Sequence, residues 1–171
     1  MLENMTETGI QLAERDIVAL ENSLGVRLPS SYRSFLLKYN GGRPTPEYFP
    51  IQNYAPSDFG GIQLFFGLKW KIKSCNLDWE YSTMSGRFPG DFLPIAGDDT
   101  GNLLCMKLKG GQGTDEGVIL YWDHEDEHSP PTHDNLFFVA RSFEALLESL
   151  HHRDMKLEIA KAQAKAQRRL N

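Results

Sequence analysis

Residues 92–126 constrain this chain more than any other stretch. They read FLPIAGDDTGNLLCMKLKGGQGTDEGVILYWDHED, with apolar runs at 92–96, 103–108 and 118–122 separated by two turn segments. In the first turn, 97–101, Asp and Thr side chains can bond their own backbone and glycine accepts a positive φ. The second, 109–117, is longer and has glycines at 110, 111, 113 and 117. Short runs of Val, Ile, Leu, Tyr and Trp between such breakers suit a half-buried pleated surface. They predict an antiparallel meander of three strands. The meander ends abruptly in 123–134, which holds five carboxylates, three histidines and Pro130-Pro131, without a lysine or arginine.

Helical periodicity flanks this centre. Ile17, Leu20 and Leu24 recur at i, i+3, i+7 within 13–24, and Gly25 follows as a natural stop. Pro29-Ser30 opens a second helix whose apolar set is Tyr32, Phe35, Leu36 and Tyr39, ended by Asn40-Gly41-Gly42. Residues 47–51 (EYFPI) read as an edge strand because of Pro50, 53–61 as a polar loop, and 62–68 (IQLFFGL) as a strand interrupted by Gly67. Leu77, Tyr81 and Met84 suggest a short helix within 75–84. A last strand is expected at 136–140, then a helix capped by Ser142 with Phe143, Leu146, Leu147 and Leu150 on one face. Residues 1–152 read as one domain. The Ala/Lys-rich segment 153–171 reads as a basic tail that continues the helix or frays.

Composition narrows the class of function. Hydrophobic residues make up 40% and charged residues 24% of 171, the balance of an ordinary soluble domain. No apolar run approaches the roughly 18 residues of a membrane span. Residues 1–11 lack the basic and apolar regions of a signal peptide. With two cysteines, Cys75 and Cys105, a reducing cytoplasm is the expected compartment. Residues 151–171 carry six basic and two acidic side chains, so of the net −5 the first 150 residues hold −9. An acidic body repels nucleic acid and favours basic partners, or simply keeps the protein soluble.

Chemistry is harder to find. His124, His128 and His133 among acids tempt a metal reading, but 124 and 128 share a face only on a helix, which Pro130-Pro131 and the preceding strand oppose. Asp98 and Asp99 could pair as acid and base, although aspartate is common in such turns for backbone reasons alone. Gly110, Gly111 and Gly113 lack the Lys-Ser/Thr pair and following helix of a phosphate loop. Polar residues that follow turns or strand ends are the best placed to touch a partner: Asp98, Asp99, Asp123, His124, Glu125 and Asp126. The aromatics Tyr48, Phe49 and Tyr54 are lesser candidates.

Three signatures in order carry a resemblance. They are Leu-Pro-x-x-Tyr-x-x-Phe-Leu…Asn-Gly-Gly at 28–42, Pro-Ile-Ala-x-Asp…Gly-Asn at 94–102, and Val…Tyr-Trp-Asp-His-Glu at 118–125. Across 12–150 the chain resembles the SUKH superfamily, the group named for the fungal Smi/Knr cell-wall regulators. The resemblance implies an α+β domain with a mostly antiparallel sheet flanked by an N-terminal helix pair and a C-terminal helix. It implies an immunity protein that neutralises a cognate polymorphic toxin, often a nuclease, by direct binding, without catalysis or cofactor. The expected partner is a basic protein toxin rather than nucleic acid or membrane, and self-association is left open. A regulatory scaffold of the Smi/Knr type is the alternative. A metal-dependent hydrolase using Asp98, Asp99 and 124–133 is the enzymatic one.

Overall fold

Helices form where apolar spacing and end signals coincide. The computed structural model describes residues 1–89, 92–109 and 116–154. Strand β1 (Asn4–Thr6) precedes helix α1 (Glu14–Leu24), which buries Ile17, Leu20 and Leu24. The Asp16 carboxylate accepts from the Ala13 N–H at 2.9 Å and so satisfies a donor at the helix start, while Gly25 closes the helix at φ 68°. Helix α2 (Ser30–Tyr39) begins after Pro29 and buries Tyr32, Phe35 and Leu36. Asn40 ends α2 and joins three segments: its Nδ2 donates to the Ile10 and Leu68 carbonyls at 2.9 Å each, and its Oδ1 accepts from Leu68 N–H at 2.7 Å. Gly41 follows because a Cβ there would lie 2.5 Å from the Phe65 carbonyl oxygen.

The chain continues through β2 (Arg43–Thr45), β3 (Tyr48–Pro50), β4 (Phe59–Gly61) and β5 (Leu64–Phe65). A single 3₁₀ turn, Lys73–Cys75, leads to α3 (Leu77–Thr83). Then come β6 (Phe92–Gly97), β7 (Leu103–Lys107), β8 (Ile119–Trp122), β9 (Leu136–Ala140) and α4 (Phe143–Ser149). Ser142 caps α4 by accepting from Ala145 N–H at 3.1 Å. The fold is α+β. Its main sheet has five antiparallel strands in the order β5-β6-β7-β8-β9, so the expected meander is its centre. Two antiparallel pairs, β1-β2 and β3-β4, stand beside it.

Every residue of 92–96 and 103–106 is buried. Side chains alternate along a strand, so both faces of the sheet centre are covered. Phe35 gathers Tyr32, Tyr39, Phe65 and Phe143 around it, with ring centroids at 6.2, 5.5, 5.0 and 4.9 Å. Elsewhere Phe88 meets Trp122 edge-on at 5.5 Å, and α3 packs on β6. Among the described residues no helix is long and apolar enough to cross a membrane.

Four expectations need correction. β1 and β2 lie in segments not read as strands, because their apolar content is slight and only mutual pairing satisfies their backbones. β4 falls at the end of the expected loop 53–61, where Gly60 and Gly61 let the chain approach Phe49 and Tyr48. The run 62–68 keeps only two strand residues, because Gly67 leaves the sheet to bond Cys75 and Leu77. α4 stops at Ser149, and His151 instead exchanges both backbone bonds with Tyr48. The rest of the expected tail, 155–171, lies outside the described residues.

Candidate functional site

The turn between β6 and β7 is built by one aspartate. Asp98 Oδ1 accepts from Thr100 N–H, Thr100 Oγ1 and Asn102 N–H at 2.8, 2.9 and 2.9 Å. Its Oδ2 accepts from Tyr121 OH at 2.7 Å and Asn102 Nδ2 at 3.2 Å. The carboxylate is thus consumed by its own turn and by β8. Asn102, buried, carries the order onward: its Oδ1 accepts from His124 N–H at 3.0 Å and lies 2.7 Å from His124 Nδ1, which places the imidazole proton on Nδ1.

Asp123 does for the next loop what Asp98 does for the turn. It is 5% exposed, its Oδ2 accepts from Tyr54 OH at 3.0 Å, and its Oδ1 accepts from Glu125 N–H at 3.0 Å. Burial, then the bond to Asp123, pushes the Tyr54 phenol up to about 12. The outcome is an ordered scaffold beneath three exposed carboxylates, Asp99, Glu125 and Asp126, at one end of the sheet.

The structure therefore brings six sequence-predicted residues and Tyr54 together and separates their roles. Asp98, Asp123 and His124 hold the scaffold, while Asp99, Glu125 and Asp126 face outward. Phe49 is a correction. It is fully buried, 6.0 Å from the Tyr121 ring, and belongs to the core rather than to a contact surface. Tyr48 is half-buried, with the Arg153 guanidinium 5.8 Å from its ring centroid. Asp123 is likewise too enclosed to form a contact rim. The loop also has a cation after all, since Arg87 reaches across to pair with Glu127 at 2.5 Å.

Two clefts open on either side of the Asp98 turn. One, of about 710 Å³, is lined by Arg43, Tyr48, Tyr54, Phe59, Asp98 and Asp99 among others. The other, of about 430 Å³, has Trp79, Glu80, Met84, Arg87, Trp122 and His124 in its walls. Among the described residues no three His, Cys, Asp or Glu side chains form a group that could hold a metal ion, and His128 and His133 are exposed loop residues.

Glu80 is the residue that sequence reading passed over. It is 8% exposed, and its carboxylate accepts no hydrogen bond from any described residue. Burial raises its pKa to about 7, against an opposing attraction from Arg87. The signal was present: Glu80 stands at i+3 from Leu77 and i−4 from Met84, inside the stripe that defines the helix. A folded pKa above the ordinary carboxylate value means that the neutral form favours folding. Its contribution is complete below about pH 4.5, declines as pH rises to about 7, and is absent above. Glu80→Gln is therefore expected to be more stable than the parent at pH 8 by about 1–3 kcal/mol, with the gain shrinking toward pH 5. Denaturant unfolding at the two pH values checks this, and equal stability at pH 8 would show that Glu80 is adequately solvated.

Comparison with known proteins places this architecture. A model of the SMI1/KNR4 family (SUKH-1) matches residues 11–149, the span from just before α1 to the end of α4. The SPbeta prophage-derived uncharacterized protein YokK of Bacillus subtilis (strain 168) is 36% identical over 146 residues, covering 77% of this chain and 70% of that protein.

Proposed function

This chain belongs to the SMI1/KNR4 family (SUKH-1), and from that premise we propose that it is an immunity protein that neutralises a cognate bacterial toxin by binding it directly. One observation carries the reading beyond family membership: Asp99, Glu125 and Asp126 are exposed together on a hydrogen-bonded scaffold at the sheet end. A field held in place before encounter steers a basic partner and costs little ordering on binding. A toxin that acts on nucleic acid must hold a polyanion, so its cleft is basic, and carboxylates set where phosphates would lie can occlude it. The similarity to a prophage-derived protein supports a role in competition between mobile elements and their hosts. In this reading the protein works by binding and catalyses nothing.

Co-expression with the toxin encoded beside its gene is the test. Protection of cells and a stable complex are expected. A toxin that kills despite the protein, with no complex recovered, would sink the immunity reading in favour of a regulatory scaffold of the Smi/Knr type. The scaffold itself has a measurable cost. Asp98→Ala should lose about 2–3 kcal/mol, because Tyr121 OH and the turn N–H groups lose their acceptor. A thermal melt unchanged by this substitution would show that water replaces the carboxylate freely.

A further inference from the structure

The smaller cleft lies between α3 and the Asp98 turn. Phe66, Met84, Leu103 and Trp122 give it apolar walls, and the Trp79 side chain stands 39% exposed at its border. Glu80 lines it, more than nine-tenths buried and without a hydrogen-bond donor among the described residues. Burial disfavours its ionised form, and a cation entering the cleft would offset that cost.

The other charged groups that line the cleft are engaged elsewhere, and the two thiols that feel the Glu80 charge, half-buried Cys75 and buried Cys105, supply no cation. Arg87 gives its Nε and Nη2 to the two Glu127 oxygens at 2.8 and 2.5 Å, with its guanidinium 5.0 Å from the Trp122 ring centroid. It attracts Glu80 through space but does not bond it. Asp98 is occupied by its turn, and His124 by Asn102. What suits apolar walls with a carboxylate at their base is a long apolar stem ending in a planar cation. Arginine has that form: its guanidinium combines fork-like donors with a face that packs on indole, as Arg87 already does in this same cleft.

Building on the reading of this chain as a toxin-binding protein, we propose that the cleft receives an arginine side chain of the partner, its guanidinium meeting Glu80 and its plane packing on Trp79. The acidic sheet end then steers the partner, and this cleft anchors it. Binding draws Glu80 to the ionised form and releases a proton. With the free carboxyl near 7, affinity rises with pH, and about a tenfold weakening is expected from pH 8 to pH 6.

The test uses the full chain and N-acetyl-arginine amide, followed through the indole N–H resonances of Trp79 and Trp122. Saturable millimolar binding is expected at pH 8, about tenfold weaker at pH 6. Glu80→Gln should abolish both the binding and its pH dependence, and the exposed Trp79→Ala should weaken it severalfold. The blocked citrulline analogue, equal in shape but uncharged, should leave the spectrum unchanged. Absence of saturation, equal binding of citrulline, or binding unaltered in Glu80→Gln would each overturn the proposal. The probe needs no toxin, so the two readings fail separately. Arginine binding without any toxin complex sinks the immunity assignment alone. A toxin complex indifferent to Glu80→Gln sinks the arginine anchor alone.

Discussion

Truncating Phe35 to alanine is expected to destabilise the protein by about 3–5 kcal/mol, the range for removing a large aromatic side chain from a packed core. Phe35 is 4% exposed and stands between α2, β5 and α4, with Phe65 and Phe143 edge-on at 5.0 and 4.9 Å. The loss has two parts, the burial of the ring itself and the cavity that three neighbouring elements cannot collapse to fill. Edge-to-face pairs add to this, since each is worth about 0.5–1.5 kcal/mol beyond its buried area. Equilibrium urea unfolding reads the effect directly. A loss below about 1 kcal/mol would mean that the α2–α4 contact is loose enough to close over the gap, and the account of the core would be wrong.

Reversing Asp99, Glu125 and Asp126 together to lysine is expected to slow association with a basic toxin by about ten- to a hundredfold at low ionic strength. All three are exposed, so the melting temperature should barely move. The difference between parent and variant should narrow as salt shortens the Debye length to about 8 Å at physiological strength. Asp123 must be left alone in this experiment. Its carboxylate holds Tyr54 and the Glu125 N–H, so replacing it would confuse unfolding with lost recognition. Stopped-flow kinetics at two salt concentrations separates the outcomes. Unchanged rates in a folded triple variant would remove the acidic surface from the mechanism, even where protection of cells persists.

Local signals made most of the fold legible. The α1 and α2 stripes, Gly25, Asn40 and the Ser142 cap each act over a few residues, and the structure realises them close to the expected bounds. The three runs between 92 and 122 are short, apolar and separated by turn signals, enough to read as a meander, and they form β6, β7 and β8. Short strands escaped because their pairing is non-local. β1 finds β2 nearly forty positions away, and neither segment has a periodicity of its own.

At the site, the sequence by itself determined which residues could carry charge and that they follow turns and strand ends. It could not say which of them the fold would consume. Asp98 and Asp99 are adjacent and chemically identical, yet one accepts bonds from its turn and from Tyr121 while the other faces solvent. Asp123 and Asp126 divide in the same way. Only tertiary structure decided this, because a carboxylate's role depends on donors brought to it from distant strands and on the water those donors displace. Glu80 makes the same point from inside the fold. Its place in the helix stripe is compatible with an inward position, but the cleft and the engaged Arg87 that leave its carboxylate without a hydrogen-bond donor among the described residues arise from α3, the Asp98 turn and the loop after β8 meeting in space.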